Sequence, residues 1–314
     1  MNKELLKENI SESVKDILKK YNISDINESN ILISINNCID NIFEGIDIDQ
    51  RKRLVSFNPN HQNYVDTNDP WNPKPIYNEV EGYKVISIFK RKETEDKHDG
   101  NPVIYALKDI RGWKFKNPSY DIFALLRRFV SVTKELKENF DVIITTPSSN
   151  KLNTEVLYRI RRLINHETSY EDFFYKYGAN DVYENFLDTN YLETHYNEDE
   201  QEHIHDLLYE AISNMMKPKE NKGNDGIFSY KFIPQQELRK CIIKSLGINK
   251  LYKDEITYGK YLNGKKILVI DDTVTSGKTI SDSATAIKDM YDPESITFLT
   301  LFSPLERNKN NLEK

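Results

Sequence analysis

The residues best suited to chemistry lie in one run, ILVIDDTVTSGKT, residues 267–279. Ile267 to Ile270 read as a buried strand, with Asp271 and Asp272 at its carboxyl end, where open α/β sheets receive their ligands. The loop from Thr273 to Gly277 is built of small hydroxyl residues, a valine and a glycine. Consecutive backbone N–H groups in such a loop converge on an anion, and a helix opening near Lys278-Thr279 adds its partial positive charge. A dianionic monophosphate matches that cradle. Two carboxylates aimed at the phosphate would repel it; they suit a neutral diol instead. A ribose 5-phosphate supplies both groups, the phosphate for the loop and two sugar hydroxyls for Asp271 and Asp272. Rival readings fit less well. Gly277-Lys278-Thr279 ends like a Walker A loop, which needs glycine where Asp272 stands. ILVIDD resembles a Walker B strand, yet no Walker A partner occurs, and no GxGxxG fingerprint is present.

Positioning such a run takes strands and helices on either side of it. DVIITTP, 141–147, reads as a buried parallel strand, followed by helix over 154–164. KKILVI (265–270), a helix from Thr279 to Met290 and ITFLTLF (296–302) form a βαβ unit. Upstream, YKVISIF (83–89) and PVIYALK (102–108) are β-rich, joined through the turn signal His98-Asp99-Gly100. A helix from about Ser119 to Lys137 should turn Ile122, Leu125, Leu126, Phe129 and Val130 inward. Residues 1–56 read as helical, with Leu5, Leu6, Ile10, Val14, Ile17 and Leu18 as one buried stripe. NDPWNPKPIY, 68–77, is a proline-rich connector that packs Trp71. Residues 165–226 look like an inserted helical segment, whose stripe of Ile204, Leu207, Leu208, Ala211, Ile212 and Met215 needs a covering surface. That surface is a partner, the acceptor or the N-terminal helices. KPKENKGNDG, 217–226, is a loop, IFSYKF (227–232) a candidate strand and Pro234 to Leu246 a candidate helix.

Composition bounds the function. The chain has 314 residues, 38% of them hydrophobic and 30% charged, enough for a packed core beneath a wet surface. A net charge of −6 gives no indication of nucleic-acid binding. Only Cys38 and Cys241 are present, in no zinc-like spacing. MNKELLKENI lacks the apolar centre of a signal peptide and no run approaches 18 apolar residues. The expectation is a soluble, cytoplasmic protein with no membrane contact. His195, His203 and His205 stand in an acidic stretch, yet His203 and His205 are two apart and point to different sides of a helix. They read as a solvated face rather than a metal site. Arg127-Arg128 and Arg159, Arg161, Arg162 read as outer helix faces.

The 267–279 run resembles the phosphoribosyl pyrophosphate (PRPP) signature of the type I phosphoribosyltransferases. Asn263-Gly264-Lys265-Lys266 before it is similar to the lead-in of the ComF-like branch. GNPVIYALKDIRGWKF (100–115) and DVIITTPSSNKLN (141–153) are similar to that branch's early segments. The resemblance implies an α/β type I phosphoribosyltransferase fold: a parallel sheet flanked by helices over 81–305, interrupted by insertion 165–226. A helical N-terminal extension (1–80) and a polar tail (306–314) would flank it. It implies a transferase that moves phosphoribosyl from PRPP to a nitrogen nucleophile, releasing pyrophosphate. Mg²⁺ would arrive on PRPP near Asp271 and Asp272, without direct protein ligands. The resemblance also implies that Asp271 and Asp272 hold the ribose. Thr273, Thr275, Ser276, Gly277, Lys278 and Thr279 would hold the 5-phosphate. Ser148, Ser149, Asn150 and Lys151 would meet the pyrophosphate, with Lys151 as a catalytic cation beside Asp271 and Asp272. The ComF-like loop is Arg-rich and followed by Gly-Phe-Asn; here Lys151 and Asn153 stand in its place. Arg239 and Lys240 are further candidate cations. Two other readings share the pocket: a PRPP- or nucleotide-sensing regulator without catalysis, and an effector of a bacterial anti-phage system of the retron type. Segments 1–80 and 165–226 would serve a homo-oligomer or a partner protein.

Overall fold

A computed structural model describes residues 3–21, 27–62, 64–67, 74–93, 98–148, 151–217, 226–233, 235–252, 262–274 and 277–307. Along the chain the elements are α1 (Lys3–Lys20), α2 (Glu28–Phe43), β1 (Gly45–Asp49), β2 (Leu54–Asn58), β3 (Val65–Asp66), β4 (Ile76–Val80) and β5 (Tyr83–Glu93). Then come α3 (Asn101–Leu107), β6 (Lys114–Phe115), α4 (Pro118–Lys134), β7 (Val142–Thr145), α5 (Leu152–Ile160), β8 (Thr168–Tyr170) and β9 (Phe174–Lys176). After them follow α6 (Ala179–Asn185), α7 (Thr189–His195), α8 (Glu198–Met216), α9 (Gln236–Lys240), β10 (Leu246–Ile248), β11 (Lys266–Thr273), α10 (Lys278–Lys288) and β12 (Ser295–Arg307). The chain divides into two units. One holds Met1–Lys74, Phe89–Val132 and Leu305–Lys314, the other Pro75–Ile88 and Thr133–Pro304.

The second unit is a mixed α/β assembly whose sheet contains parallel strands flanked by helices. The aliphatic run Ile267–Ile270 pairs in parallel with β7 on one side and β12 on the other, and all four residues are fully buried. Val142 faces Ile267 in that register, and Thr145 faces Ile270. β8 continues the sheet in parallel beyond β7, and β5 with its hairpin partner β4 lies beyond β12. Ile267 and Val269 alternate onto the face that packs on Ile280, Ala284 and Ile287 of α10. On β7 and β11 packs α5, whose Val156, Leu157 and Ile160 are buried. The β7–α5–β8 crossover runs one way along the sheet and β11–α10–β12 the other. The direction reverses between β7 and β11, and at such a switch point the carboxyl ends of two neighbouring strands open a crevice.

The stripe of α8 is covered from within the unit. Ile204, Leu208, Ala211, Ile212 and Met215 pack with Ala179, Val182, Leu192, Phe228, Ile233, Leu238 and Ile242, and Leu207 packs on this cluster half-buried. The covering residues come from the flanking chain. An Asn197–Glu200 capping box starts α8.

In the first unit, Ile46, Ile48, Val55, Phe57 and Phe115 are buried with Ala124, Leu125 and Phe129 of α4. Asp121, fully buried, accepts the Phe57 N–H at 2.8 Å and the Asn117 N–H at 2.8 Å, tying the start of α4 to β2.

Several sequence expectations are corrected. Residues 45–58 are not helix but the β1–β2 hairpin, in which Ile46, Ile48, Val55 and Phe57 alternate inward. The stripe of α1 is not buried: Leu5 is 52% and Ile17 53% exposed. PVIYALK is helix α3, because Pro102 stands at its first turn, where a missing N–H costs nothing. Ile122 is exposed, whereas Arg128 is 2% exposed and lies over the Phe57 ring, its Nη2 donating to the Glu44 carbonyl. Residues 168–170 and 174–176 of the expected insertion are sheet strands. IFSYKF makes one bridge, Ile227 to Gly178, then a 3₁₀ turn over Tyr230–Phe232. Within 234–246 only Gln236–Lys240 is helical. Pro234, Trp71 and most of 217–226 lie outside the described residues. Among the described residues, no helix is long and apolar enough to cross a membrane.

Candidate functional site

The carboxyl ends of β7 and β11 bring Thr146 and Asp271 together. The parallel register carries on past the strands, since the Thr146 N–H donates to the Ile270 carbonyl at 2.9 Å. The Thr146 hydroxyl donates to Asp271 Oδ1 at 2.7 Å, and the Asp272 N–H donates to the same oxygen at 3.0 Å. Both acids are buried, Asp271 at 9% and Asp272 at 8% exposure. From the first turn of α5, Asn153 donates through Nδ2 to the Thr146 carbonyl at 3.2 Å and to its hydroxyl at 2.9 Å. Asn153 is 2% exposed, and among the described residues its Oδ1 has no hydrogen-bond partner.

β11 runs one residue past Asp272, to Thr273, and α10 begins at Lys278. Gly277 stands at the N-cap with φ +76°, a left-handed conformation that side chains disfavour. A Cβ there would lie 2.6 Å from Val80 Cγ1 and 3.0 Å from Glu81 Cγ. The β4–β5 hairpin turns at Glu81 and Gly82, φ +52° and +74°, and so seats its tip against the loop. Glycine is therefore required here twice over, by conformation and by space.

The remaining candidates divide. Thr279 sits in the first turn of α10, half-buried. The Thr273 hydroxyl makes long contacts to the carbonyls of Val274, at 3.3 Å, and Phe302, at 3.4 Å. Ser148 is half-buried just past β7, and Lys151 is exposed, at the N-cap of α5. Lys278 turns away from the loop: its Nζ lies 3.2 Å from Asp282 Oδ1 and 3.4 Å from the Ile243 carbonyl. Arg239 Nε donates to the Ile233 carbonyl, and Lys240 pairs with Glu237. Thr275, Ser276, Ser149 and Asn150 lie outside the described residues. His203 is exposed and His205 half-buried on α8, and His195 stacks on Tyr191. Among the described residues no three His, Cys, Asp or Glu side chains converge as a metal site.

Sequence reasoning missed Thr146 and the role of Asn153, and it missed Asp282 altogether. Asp282 is fully buried on α10, and Oδ2 accepts from Tyr230 Oη at 2.7 Å, Ser245 N at 2.8 Å and Ser245 Oγ at 2.5 Å. Burial pushes its carboxyl above the usual range, against the pull of Lys278 and these donors. Desolvation likewise pushes the Tyr230 hydroxyl up, helped by the Asp282 charge. Asp282 thus anchors Tyr230 and Ser245 to α10. Asp282 stands two residues from both Ile280 and Ala284, off their helical stripe, so the apolar spacing carried no signal of its burial.

No family model matches this sequence, and no curated protein matches it.

Proposed function

We propose that this protein is a type I phosphoribosyltransferase-like protein that binds PRPP or a ribose 5-phosphate nucleotide and transfers phosphoribosyl to a nitrogen nucleophile. One observation carries the reading: two buried acids end a parallel strand at the sheet's switch point and lead into a glycine-capped helix. The helix N-terminus suits a phosphate and the acids suit a sugar diol, the two groups that one ribose 5-phosphate carries. Leaving-group departure builds positive charge at the anomeric carbon and negative charge on pyrophosphate. On this reading Asp271 and Asp272 support the first through the ribose, and Lys151, at the start of α5, attracts the second. The hard carboxylate oxygens fit magnesium carried in on substrate phosphates, which would neutralise the leaving group's charge.

A second reading, nucleotide sensing without turnover, draws on the cations. Lys278, Arg239 and Lys240 are each engaged elsewhere, which leaves Lys151 to face pyrophosphate among these four. The experiment that decides is PRPP, magnesium and a panel of bases, followed by pyrophosphate release. Turnover that Thr279→Val reduces supports the transferase. Tight PRPP binding with no pyrophosphate from any acceptor supports the sensor, and no PRPP binding refutes both.

A further inference from the structure

Asn153 holds its place at a cost. Its Oδ1 is buried with no hydrogen-bond partner among the described residues, while leucine has the same side-chain branching and no polar atom to strand. What it gains is a fixed direction for one proton. The amide orientation is set by the Thr146 carbonyl, an acceptor that must face Nδ2 rather than Oδ1. The same Nδ2 donates to the Thr146 hydroxyl, so that oxygen acts as acceptor toward Asn153 and has a single proton to give elsewhere. That proton goes to Asp271 Oδ1, 2.7 Å away. A flipped amide would compete for the hydroxyl proton and leave Asp271 without it.

We infer that Asn153, acting through Thr146, is the positioning residue that orients Asp271 as an acceptor for the sugar hydroxyls of the ligand. The inference rests on the ribose-phosphate function proposed above and adds residues it did not contain. Asn153 and Thr146 serve the sugar half of the ligand, whereas the phosphate half depends on the loop and on α10. The relay joins α5, β7 and β11, the three elements that meet at the switch point, so it also ties the pyrophosphate-side turn to the ribose-side acid.

The test separates the two halves of the ligand by calorimetric titration of the full chain with ribose 5-phosphate and with inorganic phosphate. Thr146→Val keeps the shape and removes the hydroxyl; Thr146→Ser keeps the hydroxyl; Asn153→Leu removes the amide. In Thr146→Val and Asn153→Leu, ribose 5-phosphate affinity falls about ten- to hundredfold, the worth of one hydrogen bond to a charged group. Inorganic phosphate affinity stays within about twofold in both, because the loop is untouched, and Thr146→Ser restores sugar binding. If Asn153→Leu fails to fold, the two Thr146 variants decide alone. Unchanged ribose 5-phosphate affinity in Thr146→Val, or an equal loss for both ligands, overturns the relay and leaves the proposed function standing. A wild-type protein that binds ribose 5-phosphate no better than phosphate overturns the function, and the relay with it.

Discussion

Replacing Gly277 by alanine tests whether the loop and the β4–β5 hairpin tip fit as closely as their geometry requires. Two costs add. A non-glycine residue at φ +76° pays roughly 1–2 kcal/mol for the left-handed conformation. The new methyl would also sit 2.6 Å from Val80 Cγ1 and 3.0 Å from Glu81 Cγ, well inside contact distance. Overpacking of this kind costs about 1–3 kcal/mol. Urea denaturation should therefore show a loss of about 2–5 kcal/mol, read from the midpoint at constant slope. The two costs separate in a Val80→Ala background, which removes the nearer contact and leaves the backbone cost in place. There Gly277→Ala should be less damaging by about 1 kcal/mol, a coupling expected only between residues in contact. A loss below about 0.5 kcal/mol, or costs that simply add, would refute the placement of the hairpin against the loop.

Two other outcomes follow from buried titratable groups. Asp282→Ala strands Lys278, Tyr230 and Ser245 together and should cost about 3–5 kcal/mol, while Asp282→Asn, which keeps an acceptor for Tyr230 and Ser245, should cost less. Equal losses in the two variants, compared by urea denaturation, would show that the polar anchor contributes nothing beyond volume. Cys241 is buried, and desolvation, followed by the Asp188 charge, pushes its thiol up from 9.0 to about 11. The folded state thus holds the proton more tightly than the unfolded one. That contribution is complete below pH 9 and is lost as pH rises from 9 toward 11. It amounts to about 1–2 kcal/mol after allowance for screening, at 1.4 kcal/mol per unit. A Cys241→Ala variant whose stability falls as steeply over that range would contradict it.

Long, strongly periodic segments were legible in the sequence. The strand of β11, the crossover helix α10, the neighbouring strand β7 and the amphipathic α4 and α8 all lie where apolar spacing puts them. Short segments misled, because four to seven apolar residues suit a strand or a helix equally. PVIYALK became helix through its proline, and residues 45–58 became a hairpin through an alternation masked by helical neighbours. Arg128 was misplaced because its aliphatic stem and stacking on Phe57 let a charged residue occupy a core position. At the site, Asp271, Asp272 and Gly277 were legible because one local motif contains them. Thr146 and Asn153 were not, because their importance depends on which strand pairs with β11. The register that sets Thr146 beside Asp271 joins residues far apart in sequence, and no local spacing encodes it.

On the proposed reading, Asp271 and Asp272 receive a ribose whose phosphate lies at the start of α10. Thermal denaturation with and without ribose 5-phosphate or PRPP tests it most directly, comparing the wild type with Asp271→Ala/Asp272→Ala. A ligand at a hundred times its Kd stabilises the native state by about 2.7 kcal/mol, enough to raise the melting temperature measurably. The wild type should show that rise and the double variant should lose it. Equal shifts in both proteins, or none in either, would contradict it.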